Sequence, residues 1–191
     1  LKNQIINIGK RLWQKDYVAA NDGNISVRLN DNEIYATASG VSKGFMNPDM
    51  ILRLDLDGNL LNEEPKYKPT SEIKMHLEIY NSRSDVRAVV HAHPPFSTAF
   101  AVTGISIDSS ILPEAILSVV EVPIANYETP STQGVAESIR PFIEQNNAIL
   151  LANHGAITCG KSLEDAYFRM ETLEHTAKIL HNAKLLGTPN L

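Results

Sequence analysis

The stretch Ala88-Val89-Val90-His91-Ala92-His93-Pro94-Pro95 constrains this chain more than any other. Its β-branched approach reads as a buried strand, and the paired prolines read as the strand's end. Side chains two apart on a strand point to the same face, so His91 and His93 project together from its exit. A second apolar run, Leu150-Leu151-Ala152-Asn153-His154-Gly155, also ends in a histidine. That strand is expected to continue past Gly155 into Ala156-Ile157-Thr158. Two strand-end histidine signals suggest a metal site built from His91, His93 and His154. Spacing alone does not make the three meet, and a lone His-x-His is equally a pair of strand-end residues with ordinary hydrogen bonds.

Zinc binds imidazole nitrogen at about 2.0–2.1 Å, and catalytic zinc keeps one position open. Three neutral imidazoles leave the ion its full charge, which suits polarising a carbonyl or an enediolate oxygen. Manganese and cobalt also suit histidine-rich sites. The one cysteine, Cys159, excludes an internal disulfide and fits a reducing cytoplasm. It also obliges a zinc site to use histidines and carboxylates, the pattern of catalytic rather than structural zinc. Cys159 itself, beside a turn with no evident basic partner, reads as structural.

With 191 residues, 43% of them hydrophobic, the chain is expected to be a single domain spanning 1–191 with a real core. A net charge of -5 offers no electrostatic case for nucleic acid or an anionic membrane. Apolar runs such as Ala148 to Ala152 are too short to span a bilayer. Leu1-Lys2-Asn3-Gln4 has no signal-peptide pattern. Leu1 is not a natural start, so a few residues are expected to precede it.

Ile5, Ile8, Leu12 and Trp13 have helical spacing, and that helix is expected to end near Tyr17. After the turn Asn21-Asp22-Gly23-Asn24, Ile25 to Leu29 and Glu33 to Thr37 form a hairpin around Asn30-Asp31-Asn32. Ser39 to Gly44 is a loop. Ile51 to Asp55 and Leu60-Leu61 flank Asp57-Gly58-Asn59 as a second hairpin. Pro69-Thr70-Ser71-Glu72 opens a helix with Ile73, Leu77 and Tyr80 inward and Ser71 or Thr70 as N-cap. Further helices are expected from about Pro94 to Val102 and from Ser131 to Gln145, the latter strained or ended by Pro141. Val122-Pro123-Ile124-Ala125 reads as an edge strand. The last helix starts at Ser162-Leu163-Glu164-Asp165, carries Leu163, Ala166, Tyr167, Met170, Leu173, Ala177 and Leu180 as its stripe, and ends at Gly187 and Pro189. Hairpins and helices that do not alternate one-for-one predict an α/β fold: a single α/β/α layered domain with a largely antiparallel central sheet.

Glu72, near a helix start, is either helix-terminus electrostatics or a general base beside the metal. Gly23-Asn24, Ser39-Gly40 and Thr70-Ser71 are small polar turn pairs, and each alone is most simply a turn. Together they could converge on an anion. His76, His175 and His181 lie on helices and read as solvated or packing residues, although His76 is one turn from Glu72. Lys43 reads as a solvated loop cation that could face a phosphate.

The ordered motifs Gly23-Asn24-Ile25-Ser26, Thr37-Ala38-Ser39-Gly40, Thr70-Ser71-Glu72, His91-Ala92-His93 and Asn153-His154-Gly155 resemble the class II aldolase/adducin family, most nearly its L-fuculose-phosphate aldolase branch. The resemblance runs from about Gln4 to Leu186. It implies His91, His93 and His154 as zinc ligands and Glu72 as the catalytic acid/base. It implies Gly23, Asn24, Ser39, Gly40, Thr70 and Ser71 as phosphate-binding positions. The implied reaction is reversible cleavage of a ketose 1-phosphate to dihydroxyacetone phosphate and an aldehyde, with a sugar phosphate as the small-molecule partner. A homotetramer with interface active sites and a cytoplasmic location are also implied. The branch uses a tyrosine where this chain has Leu112-Pro113-Glu114-Ala115-Ile116-Leu117, and another in a C-terminal tail where this chain ends at Leu191 without one. Glu114 is a possible substitute, though a helix-start glutamate is the simpler reading. Epimerase, dehydratase and decarboxylase branches share the scaffold, the epimerase branch carrying Asp where Glu72 stands. Adducin-like heads lack the full histidine triad.

Overall fold

Why three distant histidines can meet follows from the order of the strands. In the computed structural model, which describes residues 1–187, the strands are β1 (Asn24–Arg28), β2 (Glu33–Thr37), β3 (Ile51–Asp55), β4 (Ala88–Ala92), β5 (Ile124–Ala125), β6 (Ala148–Leu151) and β7 (Gly155–Gly160). They form one sheet in the order β3-β2-β1-β4-β7-β6-β5. Only β5 and β6 run parallel, so the sheet is largely antiparallel as expected. The histidine strand β4 is central and buried along its whole length. Asn24 lies opposite His91 across the β1–β4 ladder, and Ala92 lies opposite Ala156 across β4–β7.

Helices α1 (Lys2–Gln14), α3 (Pro95–Thr103), α4 (Pro113–Ser118) and α6 (Leu163–Leu186) pack on one face with Val90 and Leu150. On the other face, α2 (Ile73–Ser82) and α5 (Gln133–Ile139) pack with Val89, Ile149 and Ile157. Strand alternation produces both faces from one strand, which is the α/β/α layering. All seven residues of the α6 stripe are buried, and Ser162 Oγ accepts the Asp165 N–H at 3.0 Å to cap that helix. Its end at Gly187 is as expected, while Pro189 lies outside the described residues.

Several expectations change. The run through His154 is not one strand: β6 stops at Leu151, Asn153 takes a left-handed φ of 55°, and β7 returns antiparallel from Gly155. Asparagine tolerates that conformation, which permits the tight reversal. The second hairpin reduces to one bridge, Leu54 to Leu60, because the Asp55 carboxylate takes the N–H groups of Asp57 and Asn59 into a local turn. The N-cap of α2 is Glu72, not Thr70 or Ser71. Pro141 ends α5 in a short 3-10 turn, Arg140–Phe142. Trp13 is 39% exposed and packs edge-on against Phe45 rather than joining the α1 stripe. Val122 to Ala125 contributes β5, at the sheet edge as its proline suggested.

Candidate active site

His91 shares strand parity with Val89 and so faces the α2 side of the sheet, with its side chain fully buried. Its Nδ1 lies 2.9 Å from the Ala156 carbonyl oxygen, which can only accept. Nδ1 therefore carries a proton, which leaves Nε2 as the nitrogen available to a ligand. His93 follows the strand's end, held by its own N–H to the Tyr17 carbonyl at 2.8 Å. Its Nδ1 lies 3.4 Å from the Asp22 carboxylate and its Nε2 lies 3.1 Å from His91 Nε2. His154 closes the β6–β7 reversal. One nitrogen from each of His91, His93 and His154 falls within 4.8 Å of the others.

Gly155 lets these pieces close together. A Cβ there would lie 2.6 Å from the Ala92 carbonyl oxygen and 2.6 Å from Cδ2 of His93. Gly23 has a φ of 70°, and a Cβ on it would come within 2.8 Å of the His91 carbonyl oxygen.

Glu72 caps no helix N–H. Its carboxylate turns to the histidines instead, with Oε2 3.2 Å from His91 Nε2 and Oε1 3.2 Å from His154 Nε2. Asn24 Nδ2 donates to Oε2 at 2.9 Å, while buried Oε1 has no aligned hydrogen-bond donor among the described residues besides its contact with His154. Burial alone would lift the Glu72 carboxyl. The imidazoles of His91 and His154 outweigh that and hold it well below the usual carboxylate range. Burial, then repulsion from His91 and His154, lowers His93 to about 4. Three imidazole nitrogens and a buried carboxylate oxygen crowding one point fit a divalent cation. Tetrahedral ligands on zinc would stand roughly 3.3 Å apart, close to the His91–His93 contact of 3.1 Å and the 3.2 Å contacts of Glu72 with His91 and His154.

An open cavity of about 200 Å³ lies in front of this cluster. Gly23, Asn24, Ser39, Gly40, Thr70 and Ser71 all line it, together with Glu72, His93 and His154. What brings the turn pairs together is pairing beyond β2: Ser39 N–H donates to the Lys68 carbonyl at 2.9 Å, and Thr70 N–H to the Thr37 carbonyl at 3.2 Å.

Lys43 also lines the cavity and is buried, contrary to the expectation of a solvated cation. Its ammonium donates to the carbonyls of Asn21 and Val41 at 2.8 and 2.7 Å. Burial lowers it to about 8, opposed by Asp22 and Glu72. His76 is likewise fully buried and hydrogen-bonded to Asn24 and Ser26. Asp22 and Ser131, which the sequence marked only as a turn and a helix start, line the cavity too. His175 and His181 are exposed, as expected. Glu114 sits in the first turn of α4 and does not line this cavity. Cys159 is buried, which raises its thiol to about 11 and supports a structural role, though Arg83 does approach it.

The Class II Aldolase and Adducin N-terminal domain family matches residues 3–181. The chain belongs to that family. An L-fuculose phosphate aldolase of Methanococcus maripaludis is 36% identical over 184 residues, covering 95% of this chain and 98% of the relative. A 3-oxo-tetronate 4-phosphate decarboxylase of Escherichia coli K12 is 32% identical over 185 residues, covering 94% of this chain and 85% of the relative. A solved L-fuculose 1-phosphate aldolase superposes with a TM-score of 0.89 at 30% identity, covering 100% of this chain and 89% of that one. No helix among the described residues is long and apolar enough to cross a membrane.

Proposed function

We propose that the protein is a divalent-metal-dependent sugar-phosphate aldolase. It reversibly cleaves a ketose 1-phosphate, of the L-fuculose 1-phosphate type, to dihydroxyacetone phosphate and an aldehyde. The observation that carries this reading is that Glu72, His93, His154 and all three polar turn pairs line one cavity, with His91 clustered beside the other two histidines. His91, His93 and His154 hold the ion, taken as zinc with manganese or cobalt able to replace it. When bound, it supplies positive charge to the substrate oxygen on which negative charge develops.

Gly23-Asn24, Ser39-Gly40 and Thr70-Ser71 receive the phosphate through hydroxyls, amides and backbone N–H groups, with the buried Lys43 cation behind them. In condensation, Glu72 removes a proton from the carbon of dihydroxyacetone phosphate that joins the aldehyde, and the aldehyde oxygen takes up a proton from solvent. In cleavage, that hydroxyl gives its proton to solvent and Glu72 delivers one to the carbon that loses the aldehyde. The charged form that the histidines favour is the form that accepts a proton. By family resemblance, the working form is a cytoplasmic homotetramer with its active sites at subunit interfaces, and residues 1–191 are one unit.

Decarboxylation of a sugar-acid phosphate is the second reading, supported by the Escherichia coli relative named for that activity. The separating experiment incubates the zinc-loaded protein with dihydroxyacetone phosphate and a panel of aldehydes. The aldolase reading expects a condensation product with at least one of them. No product with any aldehyde, together with CO2 release from a 3-oxo acid phosphate, would replace it with the decarboxylase reading.

A further inference from the structure

We propose that His76 is a positioning residue for Glu72, acting through Asn24 at the centre of a buried one-way hydrogen-bond relay, Tyr80–Ser26–His76–Asn24–Glu72. This rests on the reading of Glu72 as the proton-transfer group. Four contacts build the relay. Tyr80 Oη lies 2.9 Å from Ser26 Oγ, and Ser26 Oγ lies 2.7 Å from His76 Nδ1. His76 Nε2 lies 2.6 Å from Asn24 Oδ1, and Asn24 Nδ2 lies 2.9 Å from Glu72 Oε2. His76 and Ser26 are fully buried, and Tyr80 and Asn24 are nearly so.

The direction of every bond follows from the end that cannot donate. An ionised carboxylate only accepts, so Asn24 must present its amide nitrogen to Glu72. Its oxygen then faces His76, so His76 Nε2 must carry the proton. The imidazole is neutral, because burial and then the nearby His91 keep it so down to about pH 3, and its Nδ1 is therefore bare. Ser26 must donate its only proton to Nδ1. Tyr80 must then be the donor to Ser26, and burial keeps that phenol protonated. With a neutral imidazole no second arrangement satisfies all four contacts, since the other tautomer would flip the Asn24 amide and set its oxygen against the carboxylate. Donors aligned in one sense also polarise one another.

The consequence lies at the reacting end. Asn24 lines the cavity and touches Glu72, so its amide plane couples the base to the substrate rim. His76 fixes that plane from behind. His76 itself does not line the cavity, and the sheet supplies the rest of the scaffold: Asn24 and Ser26, two apart on β1, point to the face on which α2 packs.

Two measurements on the zinc-loaded protein test this. The first is 15N NMR of the imidazoles, with the His76 signals assigned by their loss in His76→Gln. The expected tautomer at neutral pH is Nε2–H with bare Nδ1. An Nδ1–H tautomer or an imidazolium would overturn the relay, whatever the enzyme catalyses.

The second compares His76→Gln, whose amide nitrogen reaches the Nε2 position and still donates to Asn24, with His76→Leu, which cannot donate. His76→Leu should lower kcat by about 10- to 100-fold, the range for losing an outer hydrogen-bond partner, with KM and zinc stoichiometry unchanged. His76→Gln should restore most of that loss. Equal losses in both variants, or none in either, would overturn a positioning role. If His76→Leu does not fold, the tautomer still decides: Nε2–H supports the relay, and Nδ1–H or an imidazolium overturns it. Wild-type protein lacking aldol chemistry but showing the Nε2–H tautomer would instead refute the proposed function and leave the relay standing.

Discussion

Removing the Glu174 carboxylate should loosen the metal-binding end of β4 from the helix beneath it. Glu174 is 5% exposed on α6 and accepts three hydrogen bonds from the first turn of α3. The Phe96 N–H reaches Oε1 at 2.9 Å, and the Ser97 N–H and hydroxyl reach Oε2, each at 2.7 Å. These are short, charge-assisted bonds at a helix N-terminus, where the macrodipole also favours an anion. At about 1.5–3 kcal/mol each, three such bonds would total roughly 4.5–9 kcal/mol. Relieving the carboxylate of its own burial offsets part of that, which brings Glu174→Ala to a net loss of about 4 kcal/mol. That is a large share of the typical 5–15 kcal/mol of a folded domain.

Glu174→Gln keeps the shape but must turn an NH2 group toward one of the donors, so its loss should be smaller, about 1–3 kcal/mol. The assay is urea unfolding of the zinc-loaded protein at fixed concentration, reading the midpoint shift at constant slope, with hydrogen exchange at the Phe96 and Ser97 amides as the local probe. A loss under about 1 kcal/mol in Glu174→Ala, with unchanged exchange at those two amides, would refute the reasoning.

Two further outcomes follow from the same geometry. Gly155→Ala should cost about 1–3 kcal/mol, because the added Cβ meets a backbone oxygen that cannot yield. It should also weaken zinc retention by displacing the His93 ring; full zinc content at unchanged stability would contradict this. In the metal-free protein, His76 stays neutral in the native state from its ordinary 6.5 down to about 3, while the unfolded chain protonates it near 6.5. Its contribution to stability is therefore complete above about pH 6.5 and lost as pH falls toward 3. His76→Gln should flatten that slope in urea midpoints, and a slope identical to wild type would show that His76 does not titrate this way.

The histidine pair was legible because strand parity and the Pro94-Pro95 stop act locally, within one segment. The layered architecture was legible for a similar reason, since hairpins and the α6 stripe announce their own periods. The meeting of the three turn pairs was not, because it depends on residues 68–70 pairing with the end of β2, a long-range contact with no local signature. The β6–β7 reversal was misread as one strand because both halves are apolar, and only Asn153 hints at the turn between them. Lys43 carries a charge that sequence logic places in solvent, and His76 a polar ring that it leaves as either solvated or packed. Backbone carbonyls in one case and the Asn24–Ser26 pair in the other satisfy them inside the fold.

The most direct test of the central claim is exchange of the dihydroxyacetone phosphate carbon-bound proton into D2O, followed by proton NMR. It should be run on zinc-loaded wild type, Glu72→Gln and His93→Ala, with bound metal measured alongside. The account predicts exchange and stoichiometric metal in the wild type, metal without exchange in Glu72→Gln, and neither in His93→Ala. Wild-type exchange that persists in Glu72→Gln, or in a metal-free folded protein, would contradict it.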